Sequence, residues 1–183
     1  MTSMDGVVFE KQRFQLCALH CLNCLFQNSS AFCKASLDEI CRRLCPNRTI
    51  FNPHRSWLGL GNYDVNVILF ALQSKGYKGL WFDQRRSLSQ VETEFLLGFI
   101  LNVPAPTFKF LNFLRPCVDR RHWISFRRIE GNFYNFDSLQ NSPSLIGSDE
   151  DMINYLSREL KLPDRNLILV VADDVDDSLV WKE

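Results

Sequence analysis

Between Cys17 and Gln27 the chain reads Cys-Ala-Leu-His-Cys-Leu-Asn-Cys-Leu-Phe-Gln. Leu16, Leu19 or His20, Asn23 and Phe26 follow one helical track, and Cys17, Cys21, Cys24 and Leu25 follow another. A helix that is apolar around much of its circumference has little surface to give to water. The sequence therefore predicts a central, mostly buried helix over 17–27, with the rest of the chain folded around it. A polar lead-in, Glu10-Lys11-Gln12, precedes it. A cysteine in the first turn of a helix meets the positive end of the helix dipole and the unpaired N–H groups there. Both favour thiolate, the nucleophilic form. Cys17 also reads as a small buried hydrophobe until a distant histidine is found to serve it.

The chain length and its apolar content set how much can be built around that helix. With 183 residues, 46% of them hydrophobic and 15 of them Phe, one well-packed core is expected, and hence one domain over 1–183. Its core is expected over about 8–172, followed by an acidic tail at 173–183 whose acidic run, Asp173 to Asp177, is expected to be solvated. The formal net charge is zero, so no strongly basic face for nucleic acid is implied beyond local pairs such as Arg85-Arg86 and Arg120-Arg121. Residues 1–6 lack the basic and apolar regions of a secretory signal, and no stretch is apolar enough to span a bilayer. Seven cysteines, an odd number, then fit reduced thiols in the cytoplasm or nucleus. A monomer without an integral membrane segment is expected.

Further along, Ser36-Leu37-Asp38-Glu39 predicts a capped helix to about Cys45, stopped by Pro46. Residues 46–61, with two prolines and two glycines, form a long loop in which Trp57 and Leu58 pack on the core or are offered to a partner. Asn62 or Asp64 caps a helix from about Val65 to Lys75, ended by Gly76. A short strand at Lys78–Phe82, a short helix from Ser87 or Ser89 to Thr93 and a buried strand at Phe95–Val103 follow. The stretch 107–121 has no clear pattern. His122–Ile129 and Asn132–Ser138 read as strands joined at Glu130-Gly131, 141–147 as loop, Asp149–Leu160 as a helix, and Leu167–Ala172 as a central strand. Helices come first and most strands late, which predicts an α+β fold with a largely antiparallel sheet.

The chain has three histidines, His20, His54 and His122. A two-residue turn at Glu130-Gly131 sets Ile129 opposite Asn132, Phe126 opposite Asn135 and Ile124 opposite Asp137. His122, Asn135 and Asp137 then share one face, and Asp137 lies diagonally from His122 within side-chain reach. A carboxylate there can hold an imidazole in one tautomer and orientation, the third role in a nucleophile–base–orienter triad. A three-residue turn would put Asp137 on the other face, and an ordinary solvent-facing sheet surface would carry the same polar residues without catalysis. A helix-opening cysteine, a glutamine five residues earlier and a late His…Asp pair reproduce the chain order of papain-like enzymes. The Gln12 amide and the Cys17 N–H are candidate oxyanion donors.

Several separated motifs resemble one family. Phe9-Glu10-Lys11-Gln12, Leu16-Cys17-Ala18-Leu19-His20-Cys21-Leu22-Asn23, Asn52-Pro53-His54-Arg55-Ser56, Gly61-Asn62-Tyr63-Asp64-Val65-Asn66-Val67, Arg121-His122-Trp123 and Tyr134-Asn135-Phe136-Asp137-Ser138-Leu139 are similar, in order, to the Josephin family of deubiquitinating cysteine proteases. The likeness runs from about Val8 to Val171 and is closest to the short stand-alone members. It implies a papain-like fold, a helical part beside an antiparallel sheet. It also implies Cys17 as nucleophile, His122 as base, Asp137 as orienter and Gln12 as oxyanion-hole donor. The implied substrate is the isopeptide carbonyl at the C-terminal glycine of ubiquitin, with ubiquitin and ubiquitinated proteins as partners and no metal or organic cofactor. Phe9 departs from the family, many members of which carry histidine there. Trp123 is expected to wall a narrow cleft, and Trp81, Phe82 and the 46–61 loop are candidate ubiquitin contacts. A zinc site at Cys17, His20, Cys21 and Cys24 is disfavoured, because one helix cannot close four ligands around a tetrahedral ion. The rival reading is a ubiquitin-binding module of the same fold with little or no activity.

Overall fold

A computed structural model describes residues 6–46, 52–56, 61–105 and 121–182. The expectations for Trp57 and Leu58 and the stretch 107–120 lie outside these residues. The described chain forms helices α1 (Cys17–Phe26), α2 (Lys34–Leu44), α3 (Val65–Gln73) and α4 (Asp149–Glu159). Its strands are β1 (Tyr77–Trp81), β2 (Leu96–Pro104), β3 (Arg121–Ile129), β4 (Asn132–Phe136), β5 (Ser144–Gly147) and β6 (Asn166–Ala172). The strands make one sheet in the order β1-β6-β2-β3-β4-β5, antiparallel at every junction. The expected α+β architecture with an antiparallel sheet is observed.

Successive strand residues face opposite ways, and the sheet is covered on both faces. Ile100, Trp123, Ile168 and Val170 join α1, α2 and α3 in one apolar cluster. Phe99, Leu101, Ile124, Phe126, Leu169 and Val171 join Met152 and Leu156 of α4 in the other. Helix α1 is buried as predicted, with Ala18, Cys21, Leu22 and Leu25 fully enclosed. Each leucine so placed contributes about 1.5–3 kcal/mol of transfer free energy.

Helix α1 lies along β3, and three contacts fix it there. The Cys17 Sγ is 4.0 Å from the Arg121 carbonyl oxygen at one end. Cys21 meets Ser125 in the middle. At the far end Arg127 Nη1 donates to the Leu25 carbonyl at 3.0 Å, satisfying an acceptor the helix end leaves open. Gly98 on β2 permits this close approach. A Cβ there would overlap the Phe126 carbonyl and press on Leu25.

Local signals set most element ends. Asp64 accepts from the Val67 N–H at 3.2 Å and caps α3, and Ser148 with Asp151 forms a capping box on α4. The cap of α2 is Cys33, three residues before the expected Ser36. Ser36 instead occupies the third helical position, where its hydroxyl accepts from the Cys33 N–H at 3.0 Å and donates to the Cys33 carbonyl at 2.7 Å. Glu130 and Gly131 both have positive φ, 48° and 83°, as a two-residue hairpin turn requires. The register is the predicted one, with Ile129 opposite Asn132 and Phe126 opposite Asn135.

Two expectations are corrected. Within 141–147, read as loop, Ser144–Gly147 is an edge strand on β4. Four residues after a proline carry too little periodicity to show this in the sequence. The acidic run is exposed as expected at Asp173, Asp174, Asp176 and Asp177, but the end of the chain beyond it packs back on the core. Val180 is fully buried, Trp181 bridges to Val91 and stacks on Phe82, and Lys78 pairs with Asp177 at 2.8 Å. Two apolar side chains among the acids are enough to fold the segment back onto the α4-side core.

Candidate active site

Cys17 is the first residue of α1 and His122 the second of β3. Because α1 runs over β3 from Arg121 onward, the two side chains meet at the end of the sheet, within hydrogen-bonding reach. Both are almost closed to solvent, with exposures of 4% and 3%, so only a thin substrate segment can reach them. His122 Nε2 lies 2.7 Å from Asp137 Oδ1, leaving Nδ1 for the thiol. Asp137 follows β4 directly. Its N–H donates to Asn135 Oδ1 at 2.8 Å, and its Oδ1 also accepts the Leu139 N–H at 3.0 Å. Asn135 is itself buried and donates to the Tyr155 hydroxyl of α4 at 3.3 Å.

The electrostatics follow from this enclosure. Burial works against a charged His122, but its hydrogen bonds to Asp137 and Cys17 outweigh burial and raise its pKa to about 9. Burial likewise works against a charged Asp137, yet the His122 bond and the Leu139 N–H hold it below the usual carboxylate range. The neighbouring thiols move the other way. Burial pushes Cys21 well up, and burial pushes Cys24 and Cys41 each to about 11. Those thiols are packing groups, and an adjacent imidazole distinguishes Cys17 from them.

Gln12 reaches the site beside Asp137. Its N–H donates to the Ser138 carbonyl at 2.7 Å, and its Oε1 accepts the Ser138 hydroxyl at 3.3 Å. Its Nε2 donates to the Phe14 carbonyl at 3.0 Å, which uses one of its two protons. Ser138, given no role of its own in the sequence reading, is therefore what joins the lead-in to the Asp137 segment.

Other expected contacts sort by burial. Trp123, expected to wall the cleft, is a core residue. It packs among α1, α2 and α3, and its indole N–H donates to the Tyr63 carbonyl at 3.0 Å. Phe82, expected to meet ubiquitin, is buried against Trp181. Strand alternation gives the side a residue faces but not whether that side is covered. Trp81 remains half-exposed on the edge strand β1. His54 bonds Asp64 at 2.8 Å, linking its loop to the α3 cap. Among the described residues no group of three or more His, Cys, Asp or Glu side chains can hold a metal ion, and no helix is long and apolar enough to cross a membrane.

The Josephin family profile matches residues 12–171. The chain is 42% identical to a Josephin-like protein of Drosophila melanogaster over 93% of its own length and 76% of the relative's. It is 42% identical to human Josephin-2 and 41% to mouse Josephin-2, in each case over 98% of its length and 93% of the relative's. Among solved structures, UCH37 of Trichinella spiralis bound to ubiquitin vinyl methyl ester is similar over 54% of this chain and 73% of that one, at 13% identity and a TM-score of 0.39. With the profile spanning most of its length and relatives matched nearly end to end, the chain belongs to the Josephin family.

Proposed function

We propose that this protein is a cysteine deubiquitinase that hydrolyses the isopeptide bond at the C-terminal glycine of ubiquitin. The observation that carries the reading is the continuous contact from Cys17 through His122 to Asp137, with the imidazole held charged at neutral pH. Cys17 attacks the glycine carbonyl, and the Gln12 amide and the Cys17 N–H take the oxyanion. His122 delivers its proton to the leaving lysine amine, an acyl-thioester remains on Cys17, and His122 then draws a proton from the water that hydrolyses it. Asp137 keeps the imidazole in one orientation throughout. The near closure of Cys17 and His122 suits the side-chain-free diglycine end of ubiquitin. Family membership supports ubiquitin as the partner, and free thiols among the described residues support a reducing compartment, the cytoplasm and nucleus. We take the working form to be a monomer.

Isopeptide-linked diubiquitin tests the proposal. The wild-type protein is expected to release monoubiquitin and Cys17→Ala to release none. Binding of diubiquitin without cleavage by the wild type would support a ubiquitin-gripping module instead.

A further inference from the structure

His20 is a buried imidazole that the mechanism leaves unused. It lies three residues beyond Cys17 on α1 and spends both ring nitrogens on the lead-in. Nδ1 is 2.6 Å from Glu10 Oε2, and the Arg13 N–H donates to Nε2 at 3.3 Å. A backbone N–H can only donate, so Nε2 is the acceptor and the ring carries its proton on Nδ1, directed at Glu10. Asn23, three residues further along α1, donates to the other Glu10 oxygen at 3.1 Å and accepts the Phe32 N–H at 2.9 Å. These contacts fall on Glu10 and Arg13, on either side of Gln12.

The segment needs such support. Phe14, between Gln12 and Cys17, has a φ of 55° and a side chain 77% exposed, so it is strained and adds little packing. We propose that His20 is a positioning residue: through Glu10 and Arg13 it holds the Gln12 amide in register with Cys17, so that one helix places both nucleophile and oxyanion donor. The proposal rests on the deubiquitinase reading and deepens it.

The test compares His20→Ala, His20→Gln and His20→Asn. Glutamine can set an amide oxygen near the Nε2 position and keep the Arg13 contact, whereas asparagine can set an amide nitrogen near Nδ1 and keep only Glu10. With ubiquitin bearing a C-terminal fluorogenic amide, His20→Ala is expected to lower kcat about 30-fold or more with KM within about twofold. His20→Gln is expected to recover most of that loss and His20→Asn little of it. Iodoacetamide forms no oxyanion, so its rate at the Cys17 peptide, followed by mass spectrometry, is expected to stay within about threefold in every variant. An unchanged kcat, a loss confined to KM, an equal loss in alkylation, or equal rescue by both amides would overturn the proposal. Should His20→Ala not fold, the glutamine–asparagine comparison decides alone. A wild type that alkylates at Cys17 but cleaves no ubiquitin amide would sink the deubiquitinase reading. The brace is then read without substrate, from hydrogen exchange at the Arg13 amide. Exchange there is expected to rise about tenfold in His20→Ala relative to the amides of α1, and unchanged exchange would remove the brace.

Discussion

Asp137 Oδ1 touches His122 Nε2 at 2.7 Å although His122 lies on β3 and Asp137 just past the end of β4, off the direct cross-strand pairing. The contact is diagonal and depends on the hairpin register, which the positive φ values of Glu130 and Gly131 secure. It also depends on the Asn135 side-chain amide oxygen, which holds the Asp137 N–H, and on the Leu139 N–H, which holds the carboxylate at the end of β4.

One consequence is a pH dependence of definite sign. The folded-state pKa of His122 is raised from the ordinary 6.5 to about 9. Stability from its partners is therefore complete below the unfolded value and lost as pH rises through about 9. Turnover should share that alkaline limb, since His122 must carry a proton to the leaving amine. Titration of the imidazole 15N resonances is expected to place the transition there in wild type and lower, towards the ordinary imidazole value, in Asp137→Asn. A transition unmoved by that substitution would remove Asp137 as the cause.

Asp137 and Asn135 separate by role. Asp137→Ala removes the group on the imidazole and is expected to lower kcat by about 100-fold or more. Asn135→Ala removes only the bond that holds the Asp137 N–H and the Tyr155 contact, and should cost kcat at least about tenfold less, with most of its effect on stability. Equal losses in steady-state kinetics would show that the two act as one unit.

Gly61 holds the segment that leads into Cys17. It pairs with Gln15 at a φ of 109°, and a Cβ there would overlap the Gln15 carbonyl. Gly61→Ala is expected to cost about 2 kcal/mol in urea unfolding and to slow the reaction of Cys17. Gly131→Ala is a control. Its φ is 83°, but nothing lies near its missing Cβ, so it should cost about 1 kcal/mol and leave activity alone.

How much of this could be read from the sequence varied with the range of the interaction. Helix α1 was legible because its apolar residues leave no face for water, and the hairpin because two residues suffice for its turn. The closeness of Cys17, His122 and Asp137 followed from those two, with the family resemblance. The brace on Gln12 was not legible. His20 reaches back across the left-handed Phe14 to Glu10 and Arg13, and helical periodicity is silent on such a contact. Trp123 was placed on its strand, and Phe82 one residue past the observed end of β1, but neither in the core, because only the tertiary fold shows which layers cover them.

Trp123 and Trp81 should accordingly behave in opposite ways. Trp123→Phe leaves the Tyr63 carbonyl without its donor and is expected to cost about 1–3 kcal/mol of stability while KM for ubiquitin stays put. Trp81→Ala, on a half-exposed edge, should change stability by less than about 0.5 kcal/mol. A raised KM in that variant would mark the β1 edge as a ubiquitin contact.

The central claim is that Cys17, served by His122, attacks the C-terminus of ubiquitin. Its most direct test is intact mass analysis after mixing the purified protein with ubiquitin that carries a thiol-reactive C-terminal warhead. The account predicts a single adduct in wild type, none in Cys17→Ala, and formation slowed by about tenfold or more in His122→Ala. An adduct that persists in Cys17→Ala, or a folded wild type that forms none, would contradict it.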